Sequence, residues 1–448
     1  MKDDLPDLAG ALLAAAKRAG ADAADALVVD GTSLSIDALN GTLEHAERSE
    51  GIDLGVRAIL GGRQACVSSS DARPETIVTM AERAVAMARE APEDPSIGLA
   101  DPDALAPETG AAHLELADPG GDPDPETLKR AAIEAERAAL EVAGVTQVQS
   151  ASAGYSRYRI HLATSNGFSA GYARTSHALS CVAITGSGTE MERDHYGESM
   201  TFRADLPSPQ EIGRIAGERA VARAGARKPP TGRFPVVFDE RVSSGLIGHL
   251  LSAINGAAIA RGSSWARDLL GKQVLPRGLS IVEEPDRVRG ARSRPFDGEG
   301  LAARRSAIVE DGVLMRWVLD LASARKLGLE TTANAARSTS APPSPAVGNI
   351  VLSPGKASRA QLLRDMGQGL IVTSLIGSSI NPTTGDYSRG ASGFWVDNGD
   401  IAYPVNECTI AGNLRDVLAS LRPANDARAS RSRIVPSVLV EGLTLAGK

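Results

Sequence analysis

The sequence predicts an α+β protein with two amino-terminal modules, each combining helices with an antiparallel sheet, followed by a β-rich carboxy-terminal domain with one central buried helix. Three observations predict this class. Segments with helical apolar spacing flank strand-like runs twice within residues 1–227. The remaining residues are rich in strand signals around one clear helical segment. At 448 residues the chain also exceeds the size of a single hydrophobic core, which rarely grows beyond about 250 to 300 residues.

The first module is predicted to span residues 1–92 and to alternate between helix and sheet. Apolar residues recur at helical spacing from Leu5 to Gly20, and helical periodicity returns from Glu75 to Glu90. Between these segments, turn signals separate short strand-like runs and favour an antiparallel meander. The signals are Gly31-Thr32, Asn40-Gly41, Ser49-Glu50-Gly51 and Gly61-Gly62. The pattern therefore predicts a helix, several short strands and a second helix.

A connection rich in proline and aspartate is predicted over residues 93–126, because closely spaced prolines prevent continuous regular structure. The earlier order then returns in a middle module, residues 127–227. Helical segments from Thr127 to Val142 and from Pro209 to Ala224 enclose further strand-like runs. The two modules share a pattern without clear residue identity, so an internal duplication is a hypothesis.

The carboxy-terminal domain, residues 228–448, is predicted to consist mainly of strands. It opens with the buried strand FPVVFD, and its central helix is predicted from Glu240 to about Ala258. Shorter helices are predicted from Ser323 to Leu327 and from Arg359 to Met366. The strongest hairpin signal is FWVDNGDIAYPV, where apolar runs flank an Asp-Asn-Gly turn.

Composition excludes several classes of function. The formal net charge of −7 and a pI near 5.6, with no run of Lys or Arg, disfavour binding to a nucleic-acid backbone. No segment approaches the run of about 18 apolar residues that spans a bilayer, and the amino terminus lacks the features of a signal peptide. The 3 cysteines are widely spaced, so a disulfide framework is not expected. These features predict a cytoplasmic protein that binds neither nucleic acid nor membrane.

The segment SGLIGHLLSAINGAA, residues 244–258, has the form of a helix on which a metallopeptidase carries zinc ligands. Such helices present two histidines on one face with a glutamate as base. Here the only candidate ligand is His249, and the positions four residues away are Gly245 and Ala253. We therefore predict no metal site on this helix. His249 is a catalytic candidate, and the favoured alternative is a buried or half-buried histidine bonded to the backbone.

Cys408 is the second catalytic candidate. A nucleophilic thiolate needs a nearby base and positive charge, and His249 is one residue that would supply the base if the fold brought the two together. The favoured alternative is a small apolar core residue, because free cysteines are usually buried.

The segment TGDYSRGASGFW, residues 384–395, supplies the candidate substrate-binding residues. Glycines that permit close approach alternate here with an acid, an arginine and hydroxyl groups. The arginine is suited either to a carboxylate of a ligand or to pairing with the neighbouring aspartate, and a purely structural loop is an equal alternative. The candidates are Asp386, Tyr387, Ser388, Arg389 and Gly390.

A second acidic segment, PFDGEG, places Asp297 and Glu299 two residues apart. Two carboxylates at this spacing can share a cation, but no third is near in the sequence. We predict a tight turn with a local ion pair to Arg304 or Arg305.

The segments that carry these features together resemble the PmbA (TldE) branch of the TldD/PmbA family, also described as modulators of DNA gyrase. The most specific is TGDYSRGASGFWVDNGDIAYPVNECTIAGN, supported by SGLIGHLLSAINGA, LGKQVLP, PFDGEG and SARKLGL. The meander SLSIDALNGTLEHAERSEGIDLGVRAI fits the family's first domain, so the resemblance covers nearly the whole chain.

The resemblance implies a role in proteolysis that depends on a partner. The family's TldD branch carries H-E-x-x-x-H on the corresponding helix, binds zinc there and cleaves unfolded peptides. PmbA-type chains are implied to form a cytoplasmic heterodimer with it and to enclose part of the substrate chamber. The family is linked to maturation of a peptide antibiotic and to degradation of an antitoxin. In this chain Ile247, Gly248 and Ser252 occupy the corresponding positions, so zinc is expected in the partner and no cofactor in this chain.

Three functional hypotheses remain open from the sequence. The leading one is a subunit that encloses peptide substrate for a zinc-bearing partner. The second is an autonomous peptidase that uses His249 and Cys408. The third is a homodimeric peptide-binding regulator without proteolysis.

Overall fold

The computed structural model describes residues 4–447, with the exception of the side chain at position 378. The α-helices are α1 (Leu5–Arg18), α2 (Pro74–Glu90), α3 (Pro125–Leu140), α4 (Pro209–Val221), α5 (Glu240–Ala253), α6 (Gly256–Ala260), α7 (Leu321–Leu327), α8 (Arg359–Met366) and α9 (Leu414–Ala419). None of the described helices is long and apolar enough to cross a membrane.

The strands of the amino-terminal half are β1 (Ala23–Leu39), β2 (Thr42–Leu60), β3 (Arg63–Ser69), β4 (Val145–Thr164), β5 (Ser169–Thr185) and β6 (Glu192–Met200). Those of the carboxy-terminal half are β7 (Gly232–Phe238), β8 (Ile281–Glu283), β9 (Ser306–Glu310), β10 (Val313–Leu314), β11 (Ala335–Ala336), β12 (Ser344–Pro345), β13 (Ile350–Leu352), β14 (Gly369–Ile380), β15 (Asp386–Asp397), β16 (Asp400–Asn413), β17 (Arg422–Pro423), β18 (Arg433–Ile434) and β19 (Val438–Ala446). The α+β class is therefore confirmed.

The two predicted amino-terminal modules share one sheet. Its six strands run in the order β3-β2-β1-β4-β5-β6, and β1 pairs with β4 from Asp25 opposite Thr164 to Ala38 opposite Ala151. Helices α1 and α2 cover one part of the sheet through an apolar cluster that includes Leu12 and Ile77, and α3 and α4 cover the other part. The sequence pattern did not reveal that the two sets of strands join edge to edge.

The prediction of many short strands was wrong, because two of the supposed turns lie within long strands. β1 continues through Gly31 and β2 continues through Gly51 without a break in pairing. Between β1 and β3 the chain reverses where two consecutive residues have positive φ. Asn40 and Gly41, with φ of 54° and 69°, form the β1–β2 turn. A lone glycine supplies no such pair, so it is accommodated within the strand. Strand β6 was not predicted.

Within the predicted connection, the described residues before α3 form two short 3-10 turns, Pro102–Ala104 and Ala112–Leu114, and one isolated bridge between Leu105 and Leu301. The segment nevertheless links the two halves. The carbonyl oxygens of Ser96 and Leu99 accept hydrogen bonds from the guanidinium of Arg325, at 3.1 and 2.7 Å.

The carboxy-terminal half is built around a closed barrel of five strands. The ring runs β16-β15-β14-β7-β19 and closes because β16 pairs with β19. The predicted hairpin is confirmed as β15–β16, with Asn398 and Gly399 in its turn at φ of 51° and 83°. Helix α5 packs against β14 and β7, where Leu250 and Ile254 join the largest apolar cluster.

The central helix is shorter than predicted, because α5 ends at Ala253 rather than near Ala258. Asn255 then begins a new helix, α6, and its side chain accepts a hydrogen bond from the backbone N–H of Ala257 at 3.1 Å. Asparagine is among the best residues for starting a helix, so the local capping interaction ends the longer periodic pattern.

A group of buried charges joins the sheet to the carboxy-terminal half. Asp25 on β1 is bonded by Arg57 on β2 and by Arg337, whose Nε lies 2.9 Å from Asp25 Oδ1. Burial alone raises the pKa of Asp25, but the two guanidinium groups lower it below its usual value. The ion pairs therefore hold the carboxyl of Asp25 charged at the junction.

The prediction of a local ion pair at Asp297 and Glu299 was wrong. Asp297 accepts hydrogen bonds from the backbone N–H groups of Glu299 and Leu301, at 2.9 and 3.0 Å, as in a tight turn. Glu299 is buried and accepts a hydrogen bond from Leu321 N–H, and Arg305 pairs instead with Glu284. Burial and the neighbouring carboxyl of Asp297 raise the pKa of Glu299 to about 8.

Candidate functional site

Two adjoining cavities lie between the six-stranded sheet and the carboxy-terminal half. Their volumes are about 850 and 500 Å³, and His195 on β6 lines both. The larger cavity has an apolar wall formed by Val182, Ile184, Met191 and Ile376. The smaller one is bounded by β5, β6, α5 and the arginines of residues 431–433. We call the two together the cleft; its size suits a short segment of peptide.

Strand β6 gives the cleft a sheet edge. Among the described residues, β6 pairs with β5 on one side only. On its other side the carbonyl oxygens of His195 and Gly197 accept hydrogen bonds from Arg219 and Arg431, at 3.1 and 3.5 Å. An open sheet edge is a common binding surface for an extended peptide, because its main-chain groups are available for pairing. Here two of those groups are already engaged by arginine.

His249 is half-buried on α5, and it contacts a member of the largest apolar cluster. Its ring meets that of Tyr387 on β15 edge to face, with 5.7 Å between centroids. Burial, followed by the positive charges of Arg389 and Arg433, lowers the pKa of His249. The expected hydrogen bond to the backbone is absent among the described residues, and His249 contacts the ring of Tyr387 instead.

The three helix positions that the resemblance aligns with the zinc motif carry no suitable ligands. Ile247 is fully buried in the apolar core. Gly248 has no side chain, and the hydroxyl of Ser252 donates to the carbonyl oxygen of Gly248 at 2.9 Å. Residues 4–447, as far as they are described, contain no group of three or more His, Cys, Asp or Glu placed to hold a metal ion. These positions do not fit a zinc ion.

Cys408 lies in the wall of the larger cavity but is only 4% exposed. Its thiol donates to the carbonyl oxygen of Ala391 at 3.1 Å rather than bonding to His249. Burial raises the pKa of the thiol to about 11, so the thiolate is scarce near neutral pH. This is the environment of a core thiol, the alternative favoured by the sequence.

The candidate substrate-binding residues lie on a strand, not on a loop, because residues 386–397 form β15. Strand alternation sends their side chains to two faces. Asp386 and Ser388 line an open hollow of about 700 Å³, and Asp386 is bonded by Thr384 and Asn413. The proposed pairing of Asp386 with Arg389 is therefore wrong, since that carboxylate is already engaged on the opposite face.

Tyr387 and Arg389 point toward α5 instead. Tyr387 is 2% exposed, and neither its hydroxyl nor the Nε of Arg389 has a hydrogen-bond partner among the described residues. Gly390 follows them in the wall of the larger cavity. Arg433 on β18 completes this group, and sequence reasoning missed it because nothing in the segment RSRIVP distinguishes one arginine from its neighbours.

The fold and the cleft define a two-part protein in which a sheet edge and a closed barrel enclose a peptide-sized space. Comparison with known proteins assigns the chain to a family. Three family models described as PmbA/TldA metallopeptidase domains match the chain. Domain 1 matches residues 24–88, the central domain matches residues 118–224, and the C-terminal domain matches residues 231–447. The chain belongs to the PmbA/TldD family.

Individual relatives agree with this assignment. The chain is 37% identical to Metalloprotease PmbA of Escherichia coli over 95% of its own length and 93% of that protein. A crystal structure described as a modulator of DNA gyrase from Bacteroides thetaiotaomicron superposes with a TM-score of 0.90 at 26% identity, covering 99% of this chain and 98% of that one. The structure of TldE from Thermococcus kodakarensis shares the fold, with a TM-score of 0.85 at 18% identity over 98% of this chain and all of that one.

Proposed function

We propose that this chain is the PmbA-type subunit of a two-chain zinc metallopeptidase, and that it helps to enclose unfolded peptides while a TldD-type partner carries the zinc. The observation that supports the proposal is the lack of zinc ligands on helix α5. The positions aligned with His, Glu and His of the zinc motif hold Ile247, Gly248 and Ser252, which do not form a ligand set. The chain belongs to a family of metallopeptidases, yet its helix α5 has no zinc ligands. This combination favours a complex in which the partner chain binds the zinc and this chain helps to enclose the substrate.

The cleft supports the peptide-holding part of the proposal. An unfolded peptide has unpaired backbone groups and mixed side chains, so a sheet edge beside an apolar wall suits it. Strand β6 supplies the edge, and Ile184, Met191 and Ile376 supply the wall. Met191 and Ile376 are 49% and 71% exposed, which leaves apolar surface available for a ligand or a partner chain.

The proposal also includes the cellular location, the roles and the oligomeric form of the complex. We place the complex in the cytoplasm, with peptide maturation and antitoxin degradation as its roles. A homodimer of this chain is the expected form when the partner is missing. Zinc is assigned to the partner, and no cofactor is assigned to this chain.

The test is cleavage of an unstructured peptide by this chain alone, by the H-E-x-x-x-H chain of the same organism alone, and by their mixture. We expect full activity only in the mixture, with loss on zinc chelation. A partner variant with Gln in place of the motif's Glu is the matched control, because it keeps the interface while removing the base.

The other outcomes point to the alternatives. Cleavage by this chain alone would overturn the proposal and favour an autonomous peptidase, and Cys408→Ala would then show whether the thiol takes part. Binding of peptide by a homodimer, with no cleavage in the mixture, would favour a regulatory peptide-binding protein.

A further inference from the structure

Between α5 and β15 lies a cluster of side chains that can donate hydrogen bonds, and no acidic side chain is among them. The cluster consists of His249 on α5, Tyr387 and Arg389 on β15, and Arg433 on β18, and we call it the cationic cluster. The rings of His249 and Tyr387 are 5.7 Å apart, and both arginines lie close enough to affect His249 electrostatically. The guanidinium of Arg433 lies directly over Gly248, where an added Cβ would stand 2.7 Å from Nη1.

The arginines of the cationic cluster are unneutralised. Across the described part of the chain, neither Arg389 nor Arg433 takes part in an ion pair. The Nε of Arg389 and the hydroxyl of Tyr387 are buried without a hydrogen-bond partner. Buried donors are almost always paired in native proteins, so two unpaired donors beside two unpaired positive charges indicate a missing acceptor.

No nearby acid of this chain is bonded to the cationic cluster. Asp386, on the same strand, is bonded by Thr384 and Asn413. Glu198 and Glu240, which line the smaller cavity beside Arg433, each accept a hydrogen bond from Arg428 at Oε1. Glu198 Oε2 is buried without a hydrogen-bond partner, so it is not bonded to Arg433 either. Because none of these acids reaches the cluster, the acceptor is expected from outside the chain.

We propose that the cationic cluster binds a carboxylate of the peptide held in the cleft. The proposal rests on the proposed function, because the cleft is what brings a peptide to the cluster. Arg433 lines the smaller cavity, and Gly390, next to Arg389, lines the larger one. Guanidinium groups and a hydroxyl donor suit the two oxygens of a carboxylate, whether at the carboxyl terminus or on an Asp or Glu side chain. Binding there fixes the position of the peptide relative to β6.

The first experiment follows His249 by NMR in this chain alone during titration with sodium acetate, and again with sodium phosphate. We expect saturable shifts of the imidazole signals with acetate, and their loss in Arg389→Gln. The matched control is Arg304→Gln, which removes an exposed arginine that is not part of the cluster. No response to acetate, or a response to phosphate at tenfold lower concentration, would overturn the carboxylate assignment.

The second experiment compares three labelled unstructured peptides by fluorescence anisotropy: one without Asp or Glu and with a free carboxyl terminus, its amide, and an amide containing one Glu. We expect at least one carboxylate form to bind about tenfold more tightly than the plain amide, and Arg389→Gln to abolish that difference. A preference for the free terminus over the Glu amide, or the reverse, identifies the source of the carboxylate.

The outcomes separate this proposal from the proposed function. Equal binding of all three peptides would overturn the carboxylate site while leaving peptide holding intact. A response to acetate with no binding of any peptide would support the site and contradict peptide holding. Tyr387→Phe and Arg389→Gln should leave the melting temperature unchanged or higher, because each removes an unpaired buried donor; a large loss of stability in either would show a structural role instead.

Discussion

Arginines that are buried or half-buried occur in two regions of this molecule with opposite surroundings. At the junction between the sheet and the carboxy-terminal half, Arg57 and Arg337 share the carboxylate of Asp25. In the cationic cluster, Arg389 and Arg433 have no carboxylate among the described residues. A guanidinium is costly to bury without an acceptor. At the junction the arginines therefore stabilise the fold through an ion pair, whereas in the cluster they are available to bind a ligand.

The largest expected effect comes from removing the shared acid at the junction. In Asp25→Asn, the two guanidinium groups of Arg57 and Arg337 stay buried without a counter-charge. We expect the free energy of unfolding to fall by about 3–5 kcal/mol. Urea denaturation measures this loss. The matched control is Glu50→Gln, which breaks the exposed pair with Arg48 and should cost no more than about 1 kcal/mol. A loss below 1 kcal/mol for Asp25→Asn would remove the contrast between the two regions.

A second test uses Glu299, a carboxyl at the same junction whose pKa is raised to about 8. The folded state keeps this group protonated where the unfolded chain has already released the proton. Its favourable contribution is therefore complete below the ordinary carboxyl pKa and is lost as the pH rises through about 8. One pKa unit corresponds to about 1.4 kcal/mol, so the free energy of unfolding should fall by about 2 kcal/mol between pH 6 and pH 7.5.

The control for this pH dependence is Glu299→Gln, whose side-chain oxygen can still accept the hydrogen bond from Leu321 N–H. We expect its stability to vary less over the same pH interval and to exceed that of the natural chain at pH 7.5. An equal slope in both proteins would show that other groups, such as the buried His161 or His177, govern the pH dependence.

The sequence predicts local features of this fold better than long-range ones. Asn40-Gly41 and Asn398-Gly399 mark their turns because two residues with positive φ are needed within two positions. Helix α8 has the predicted bounds, because its periodicity and its Ser358 cap are local. The pairing of β1 with β4 joins residues more than a hundred positions apart, and no local pattern encodes it.

The same limit applies to the candidate site. The sequence identifies Tyr387 and Arg389 as candidates because they lie in one glycine-rich segment with an acid and hydroxyl groups. Arg433 was not predicted because it joins the cluster through its position beside α5. Arg433 lies on β18, which is distant from α5 in the sequence. The absence of an acid beside these arginines is also invisible in sequence, where Asp386 stands only three positions from Arg389 but points to the opposite face.

The smallest expected effect, and the sharpest comparison, comes from two glycines on α5. Alanine is favoured over glycine inside a helix by up to about 1 kcal/mol. At Gly245 an added Cβ meets nothing within 4 Å, so Gly245→Ala should raise the melting temperature and leave carboxylate binding unchanged. At Gly248 the Cβ would stand 2.7 Å from Arg433 Nη1, which must move aside. Because that atom is the end of a flexible side chain, the move should cost little stability but weaken acetate binding several-fold. Equal acetate affinity in the two variants would show that Arg433 does not contact the ligand and would reduce the cluster to Arg389, Tyr387 and His249.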